Sequence, residues 1–272
     1  MPEGDTVWRT ARALNQALAG TALNRCELRV PALATVDLSG QLVGEILARG
    51  KHLLVRVDPD LTVHSHVRMD GDWRTYRQGE RWSGGPGHQI RAVLANDQVA
   101  AVGYRVHDLA LVRRGDEDTV VGHLGPDLLG PGWDLDEAVR RLQATAGRAI
   151  GEALMDQRNL AGIGNVYKSE TLFLSGVDPW LPVAAVDLAG VVERARRLLL
   201  LNRDRVARST TGDTGRGRQH WVYQRSGERC RRCATAVRRA EQGPLGAERG
   251  TFWCPSCQPG PGPGGNGPAS GS

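Results

Sequence analysis

Hydrophobic residues change their period part-way along this chain, and no single layer of secondary structure accommodates both periods. From Ala22 to about Leu111, short runs such as HLLVRVD, LTVHSHV, IRAVLA and VAAVGYRV alternate or cluster β-branched residues between Gly, Pro, Asn and Asp breaks. That is how an antiparallel sandwich or barrel reads. A helix should lead into it, because Val7, Ala11, Leu14 and Leu18 fall at helical spacing within 6–19. The segment ERWSGGPGH at 80–88 is a loop by its glycines and proline. From Asp134, an N-cap candidate before an acidic turn, the period becomes helical through DLDEAVRRLQAT, AIGEALMDQ, IGNVYKSETLFLSG and DLAGVVERARRLLLLNRDRVAR. The fold class is therefore α+β, with a helix-led β domain followed by a helical one.

A third module follows a Gly/Arg-rich link at 212–218. Cys230 and Cys233 form one C-x-x-C, Cys254 and Cys257 another, with 20 residues between the pairs. Each pair can place two thiolates on one turn, and a hairpin between them can bring the four together as a closed tetrahedron, the geometry of structural Zn²⁺. A closed site leaves no open coordination position, so the metal should support a fold and not catalyse. Arg249 stands just before the returning strand of that hairpin, where a held-out cation can probe phosphate. Cys26 stands alone and reads as a small core residue. From Pro259 the chain is almost all Gly, Pro and Ser, without large core-forming residues, and is expected to be disordered.

Net charge is +5, and the stretch from Arg194 to Arg239 is densely basic, which suits a phosphate-facing surface. All but two of the 35 basic residues are arginine. Arginine cannot lose its proton whereas lysine can, so Lys51 and Lys168 invite the question of what arginine could not do there. No stretch approaches the roughly 20 apolar residues of a membrane span, and the acidic start lacks a secretory pattern. We expect a soluble, cytoplasmic protein with no membrane partner.

Between two helical segments lies A-G-I-G-N, with Asn165 opening the second. Glycines let a ligand approach the backbone, and free N–H groups at a helix start attract an anion. On local evidence a plain helix connection is as good a reading; the basic stretch that follows favours DNA phosphate, with Lys168 either assisting or solvated.

The chain starts Met1-Pro2-Glu3-Gly4-Asp5. Removal of Met1 would leave a secondary amine, and an α-amino group with a reference pKa of about 7.7–8.0 is partly neutral at physiological pH. Its attack on a sugar C1′ gives an iminium ion that acidifies the 2′ position and permits elimination of the 3′ phosphate. Glu3 can shuttle protons. Alone, such a start means little.

Together with G-K-H at 50–52, H-x-x-M-x-G at 66–71, LGPDLL at 124–129, LAGIGNVYKSE at 160–170 and R-x-T-F-W-C-P-x-C-Q at the end, however, it resembles the formamidopyrimidine-DNA glycosylase/endonuclease VIII family over about residues 2–258. The resemblance implies an N-terminal β-sandwich domain (2–118), a helix–two-turn–helix domain (119–220) and a four-cysteine zinc finger (221–258), followed by the tail at 259–272, with damaged double-stranded DNA bound in the cleft. It further implies Pro2 as Schiff-base nucleophile, Glu3 as general acid, Lys51 as the catalytic lysine, and Asn165 and Arg249 as phosphate clamps, with Arg249 assisting δ-elimination. Met69 matches a residue that fills the gap left by an everted nucleotide.

Three positions depart from the family pattern. Asp5-Thr6 stands where many members have Pro-Glu, His123 where endonuclease VIII carries an arginine, and Arg68-Met69-Asp70 fits neither branch's intercalating set. Arg68, His123 and Lys168 are carried as further DNA contacts.

The short segment 209–224, the PEG start and the W-C-P-x-C-Q ending favour the endonuclease VIII branch. Oxidised pyrimidines and abasic sites are then the expected substrates, with oxidised purines such as 8-oxoguanine as the alternative. A non-catalytic DNA-binding protein would be expected to have lost Pro2, Glu3 or Lys51, and all are present. A zinc-ribbon RNA-binding protein would leave the N-terminal match unexplained. One cleft with its own finger suggests a monomer, associated with the bacterial nucleoid through DNA.

Overall fold

The computed structural model describes residues 2–106 and 108–264. It falls into two compact units that divide between His123 and Leu124.

The first unit opens with α1 (Gly4–Leu18), two residues earlier than the apolar spacing predicts. The reason lies in Glu3, whose carbonyl accepts the amides of Thr6 and Val7 and so extends the helix to the chain start. Eight strands follow: β1 (Arg25–Leu28), β2 (Val43–Arg49), β3 (His52–Val57), β4 (Leu61–His66), β5 (Asp72–Arg77), β6 (Ile90–Ala95), β7 (Val99–Tyr104) and β8 (Asp108–Arg113). They form two antiparallel four-stranded sheets, β1-β6-β7-β5 and β2-β3-β4-β8. One core takes Leu53, Val55 and Val63 from the second sheet and Trp73, Ala92, Leu94 and Ala101 from the first, so the unit is a β-sandwich. α1 adds Val7, Ala11, Leu14 and Leu18 to that core, each such burial contributing roughly 1.5–3 kcal/mol for a large side chain. Asn15 Oδ1 accepts the amide of Ile46 at 2.8 Å, fixing the helix to β2. Cys26 packs half-buried against the core as a lone thiol. The loop at 80–88 carries no strand and ends in a 3₁₀ turn at Gly87–Gln89. A short α2 (Asp118–Val121) closes the unit.

The second unit holds α3 (Leu135–Gln143), α4 (Ile150–Met155), α5 (Asn165–Ser175), α6 (Leu188–Asn202) and the hairpin β9 (Arg238–Gln242)–β10 (Arg249–Trp253). Asp134 caps α3 by accepting the amide of Glu137 at 3.0 Å, and Asp187 caps α6 in the same way. α5 ends at Gly176, whose left-handed φ of 69° turns the chain back. Leu142, Leu154, Ile163, Tyr167, Leu172, Val191 and Leu199 form the helical core, and Phe173, Val222, Val237 and Phe252 a smaller one beneath the hairpin.

Disorder was expected from Pro259, yet Gly262 N donates to Asp178 Oδ2 at 2.9 Å, so the first tail residues lie against the unit. The remainder of the tail, 265–272, lies outside the described residues.

Candidate functional site

In the first unit, Pro2 is half-buried and precedes a Glu3 with no solvent exposure. Asp5, also fully buried, accepts the Thr6 hydroxyl at 3.4 Å. Pro2 lines a crevice with Thr6, Val67, Gly71 and Trp73. Gly71 closes a tight turn by donating to the Val67 carbonyl at 2.9 Å, and a Cβ at Gly71 would sit 2.5 Å from that oxygen. Glycine is therefore required in H-x-x-M-x-G, and the turn holds Met69 out, 55% exposed. Arg68, at φ 47°, makes a two-point ion pair with Asp108 (2.6 and 2.7 Å).

Lys51 occupies the two-residue turn between β2 and β3, beside Gly50 at φ 59°. Next to it lies a cluster that sequence reasoning missed. His52 pairs directly with His66, and His66 with Asp108, across β3, β4 and β8. The period of two then puts His64 on the same face. The His52 ring stacks on His66 (centroids 4.5 Å), the His64 ring lies nearly parallel at 5.1 Å, and exposed His123 meets His52 edge-on at 5.8 Å. His52 Nδ1 and His64 Nε2 are 2.8 Å apart and share a hydrogen bond. Burial, reinforced by the neighbouring imidazoles, pushes His52 down to about 3 and His64 down to about 4. His66 is lowered too, mainly by burial, although Asp108 opposes this. His52, His64 and His66 thus favour their uncharged forms at neutral pH. The H-x-H at 64–66 was the available signal, since alternation places both rings on one face.

In the second unit, the two glycine-containing motifs pair with each other. Ala161 N donates to the Pro126 carbonyl and Leu128 N to the Ala161 carbonyl, joining LGPDLL to LAGIG. A Cβ at Gly125 would meet the Asn159 carbonyl at 2.6 Å, which explains that glycine. α5 then begins at Asn165, whose Nδ2 donates to the Gly250 carbonyl at 2.9 Å. Its buried Oδ1 has no partner among the described residues. Asn165 and the start of β10 are therefore adjacent. Arg249, the first residue of that strand, bonds the Glu248 carbonyl at 3.2 Å and makes no ion pair among the described residues.

Lys168 is not solvated: it is 1% exposed, and its ammonium donates to Thr251 Oγ1 at 2.5 Å. That hydroxyl bonds Gln242 Oε1 at 3.0 Å, tying α5 to both strands of the hairpin. Lys168 and Arg249 line a cavity of about 370 Å³ together with Arg148, Arg158, Asp156 and Gln242.

Glu170 is the other residue that sequence reasoning left without a role. Fully buried, it accepts the amides of Trp221, Val222 and Tyr223 at 2.8–2.9 Å and the Thr210 hydroxyl. One carboxylate thus fastens the irregular segment 209–224 to α5.

The cysteines meet as their spacing requires. The sulfurs of Cys230, Cys233, Cys254 and Cys257 lie within 4.8 Å of one another, with Cys230–Cys257 at 3.9 Å and Cys233–Cys254 at 3.4 Å. Tetrahedral Zn–S bonds of about 2.3 Å imply sulfur–sulfur edges of about 3.8 Å, so the four thiols fit a metal ion.

Comparison with known proteins assigns both units. Residues 1–125 match the formamidopyrimidine-DNA glycosylase N-terminal domain, and residues 124–195 the formamidopyrimidine-DNA glycosylase H2TH domain. A "Probable endonuclease 8 2" from Streptomyces coelicolor is 56% identical over 97% of this chain and 96% of its own length. The chain belongs to the formamidopyrimidine-DNA glycosylase/endonuclease VIII family. Within that family it is also 48% identical to a Mycolicibacterium smegmatis protein named "DNA-(apurinic or apyrimidinic site) lyase Nei2", over 95% of this chain and 99% of the relative. The Lactococcus lactis formamidopyrimidine-DNA glycosylase (Fpg), solved with DNA containing N7-benzyl-Fapy-dG, shares the fold at TM-score 0.79 and 22% identity, covering 95% of this chain and all of that one. The β-sandwich and the helix–two-turn–helix domain are thus family features, and the alignment with the relatives extends over the cysteine finger.

Proposed function

We propose that this chain is a bifunctional DNA glycosylase and abasic-site lyase of base-excision repair whose nucleophile is the nitrogen of Pro2. The observation that carries the reading is the placement of Pro2 directly ahead of a fully buried Glu3, at the start of α1, in a chain whose close relatives are named endonuclease 8 and abasic-site lyase. The Pro2 nitrogen attacks C1′, the base departs with a proton delivered by Glu3, and the sugar ring opens to an iminium ion. Loss of the 2′ proton expels the 3′ phosphate (β-elimination). A second elimination expels the 5′ phosphate, and water then releases the sugar fragment from Pro2. Lys51, on its tight turn, serves the lesion phosphate, and Met69 is presented to fill the space of the everted nucleotide.

The second unit supplies the grip on duplex DNA. Asn165 and Arg249 lie together as a phosphate clamp, and Lys168 acts from beneath, through Thr251, as a support of that clamp. Zinc held by Cys230, Cys233, Cys254 and Cys257 keeps the hairpin rigid. It has no part in the bond-breaking steps, because all four coordination positions are taken by sulfur. Arg68 and His123 flank the cluster beside Lys51 and complete the DNA-facing set. The protein acts as a monomer on damaged double-stranded DNA in the bacterial cytoplasm, on the nucleoid. Among the described residues no helix is long and apolar enough to cross a membrane.

Oxidised pyrimidines are the favoured bases, since 209–224 is short and held down by Glu170, leaving little chain to cover an everted purine. Borohydride trapping on duplexes containing an abasic site, dihydrouracil, thymine glycol or 8-oxoguanine tests this. Stronger trapping on the two pyrimidine lesions than on 8-oxoguanine is expected. The reverse order would move the chain to the purine branch, and DNA binding without trapping on any duplex would make it a non-catalytic binder.

A further inference from the structure

Three of the seven histidines of this chain, His52, His64 and His66, share one sheet face beside Lys51, and a fourth, His123, meets His52 from the segment after α2. A sandwich needs no such cluster, and burying imidazoles works against their charged forms. The central ring is His52, which stacks on His66 and meets His64 edge to edge through their shared hydrogen bond. His64 is 6% exposed, and its Nδ1 has no partner among the described residues, so a buried polar nitrogen is left unsatisfied.

Among the three sheet histidines, His66 has its side chain 26% exposed. Its Nδ1 lies 3.3 Å from Asp108 Oδ2, and His52 covers one of its faces. Those contacts leave Nε2 as the nitrogen able to meet a ligand. The charges around it are the Lys51 ammonium from the β2–β3 turn, the Arg68 guanidinium from the segment after β4, and the Asp108 carboxylate of β8. His52 on β3, His64 on β4 and His123 after α2 complete the surroundings. Further along the same face, Arg56 is neutralised by Glu117 and Glu45.

A ligand that meets both Lys51 and His66 Nε2 is an anion, and for a DNA-binding chain it is a phosphodiester. We propose that this cluster couples DNA binding to the uptake of one proton, held by His66 between the bound phosphodiester and Asp108. His52 and His64 are positioning residues. They keep the His66 ring against Asp108 and desolvate it, so that it is neutral without DNA and charged only when a phosphate faces it. Nδ1–H then donates to Asp108 and Nε2–H to the phosphate, each a charge-assisted hydrogen bond. The proposal rests on the DNA-binding reading above and adds to it a dependence on pH that arginine clamps cannot give, because arginine does not titrate in this range.

The test is the affinity of the full-length, zinc-loaded protein for a duplex carrying a tetrahydrofuran abasic analogue, measured at constant ionic strength from pH 8 to pH 6. This probe has no aldehyde carbon for Pro2 to attack, so only binding is read. If one proton is taken up, affinity tightens as pH falls, approaching tenfold per pH unit where the slope is steepest. His66→Gln, which cannot be protonated, should reduce that dependence to less than twofold per unit. Comparison of the two proteins cancels any contribution from the Pro2 amine, which both retain.

Arg68→Gln, at an exposed position, supplies an independent check. It removes a cation beside His66 and releases Asp108, so the steep part of the curve should move to higher pH. A slope unchanged in His66→Gln and an unmoved curve in Arg68→Gln, with DNA still bound, would overturn the proton coupling alone. Absence of binding at every pH would overturn the DNA-binding reading and the coupling with it.

Discussion

The two units meet charge in opposite ways. On the sandwich face beside Lys51, the imidazoles of His52, His64 and His66 are packed where burial favours their neutral forms. Around the finger, the cations are chiefly arginines, and where they are paired they are held by fixed partners. Asp156 receives both Arg148 and Arg158, and its carboxyl sits well below the usual range chiefly because the Arg158 guanidinium bonds it. The helical unit therefore offers a grip that is the same at any physiological pH, while the sandwich unit offers one that depends on protons. On the proposed reading, DNA would be held by constant charge at the helical unit, and partly by adjustable charge at His66 beside Lys51.

The largest effect should come from removing the metal. Zinc bound by four cysteines contributes about 10–16 kcal/mol to the fold of a small finger. Chelation, or Cys254→Ser at a fully buried ligand, should unfold the hairpin and abolish duplex binding while the sandwich stays folded. Hydrogen exchange resolved by segment checks this, and unchanged protection of Arg238–Trp253 without metal would break the comparison.

Glu170 comes next. Glu170→Ala removes the acceptor of three backbone amides and the Thr210 hydroxyl, which should cost on the order of 3–5 kcal/mol. Glu170→Gln should cost less, and chemical denaturation would rank the two. Equal and small losses would show that segment 209–224 is held by other contacts.

A smaller effect belongs to acid. His52 and His64 have folded-state values of about 3 and about 4, below the usual 6.5. A lowered histidine binds its proton more readily in the unfolded chain, so their contribution is complete above about pH 6.5 and is lost as pH falls toward pH 4. The loss should be on the order of a few kcal/mol for the pair. His52→Phe, which keeps a flat ring in the stack, should melt at a higher temperature than the native chain at pH 5 and close to it at pH 7.5. Parallel melting curves would mean that the cluster already carries charge at neutral pH.

The smallest effect is a control on the helical unit. Asp134→Ala removes the N-cap of α3 and should cost about 1 kcal/mol without altering affinity for DNA. A change in affinity would mean that the helical unit is less rigid than its fixed charges imply.

Much of this was legible in the sequence, for identifiable reasons. Alternation in LTVHSHV and IRAVLA announced strands, Asp134 announced its helix, and two C-x-x-C pairs announced the finger. Those are local signals, and the sandwich, the capped helix and the clustered thiols follow from them. What stayed hidden depends on distance in sequence. Glu170 bonds residues some 40 to 53 positions away, and Lys168 meets Thr251 across 83 positions, so neither burial shows in a helical period that is buried on every side. The imidazole cluster was half visible. H-x-H in a strand puts two rings on one face, but only the β3–β4 register brings His52 opposite His66.

The central claim is that Pro2 is the nucleophile, and the most direct test is to find where the sugar is attached. The native chain should be reduced with borohydride on an abasic duplex, digested with protease and nuclease, and the adduct located by mass spectrometry. A deoxyribose-derived mass is expected on the N-terminal peptide, at the nitrogen of Pro2, and should be lost when an added peptide ahead of Pro2 converts that nitrogen to an amide. An adduct on Lys51, or one that survives the blocked terminus, would contradict it.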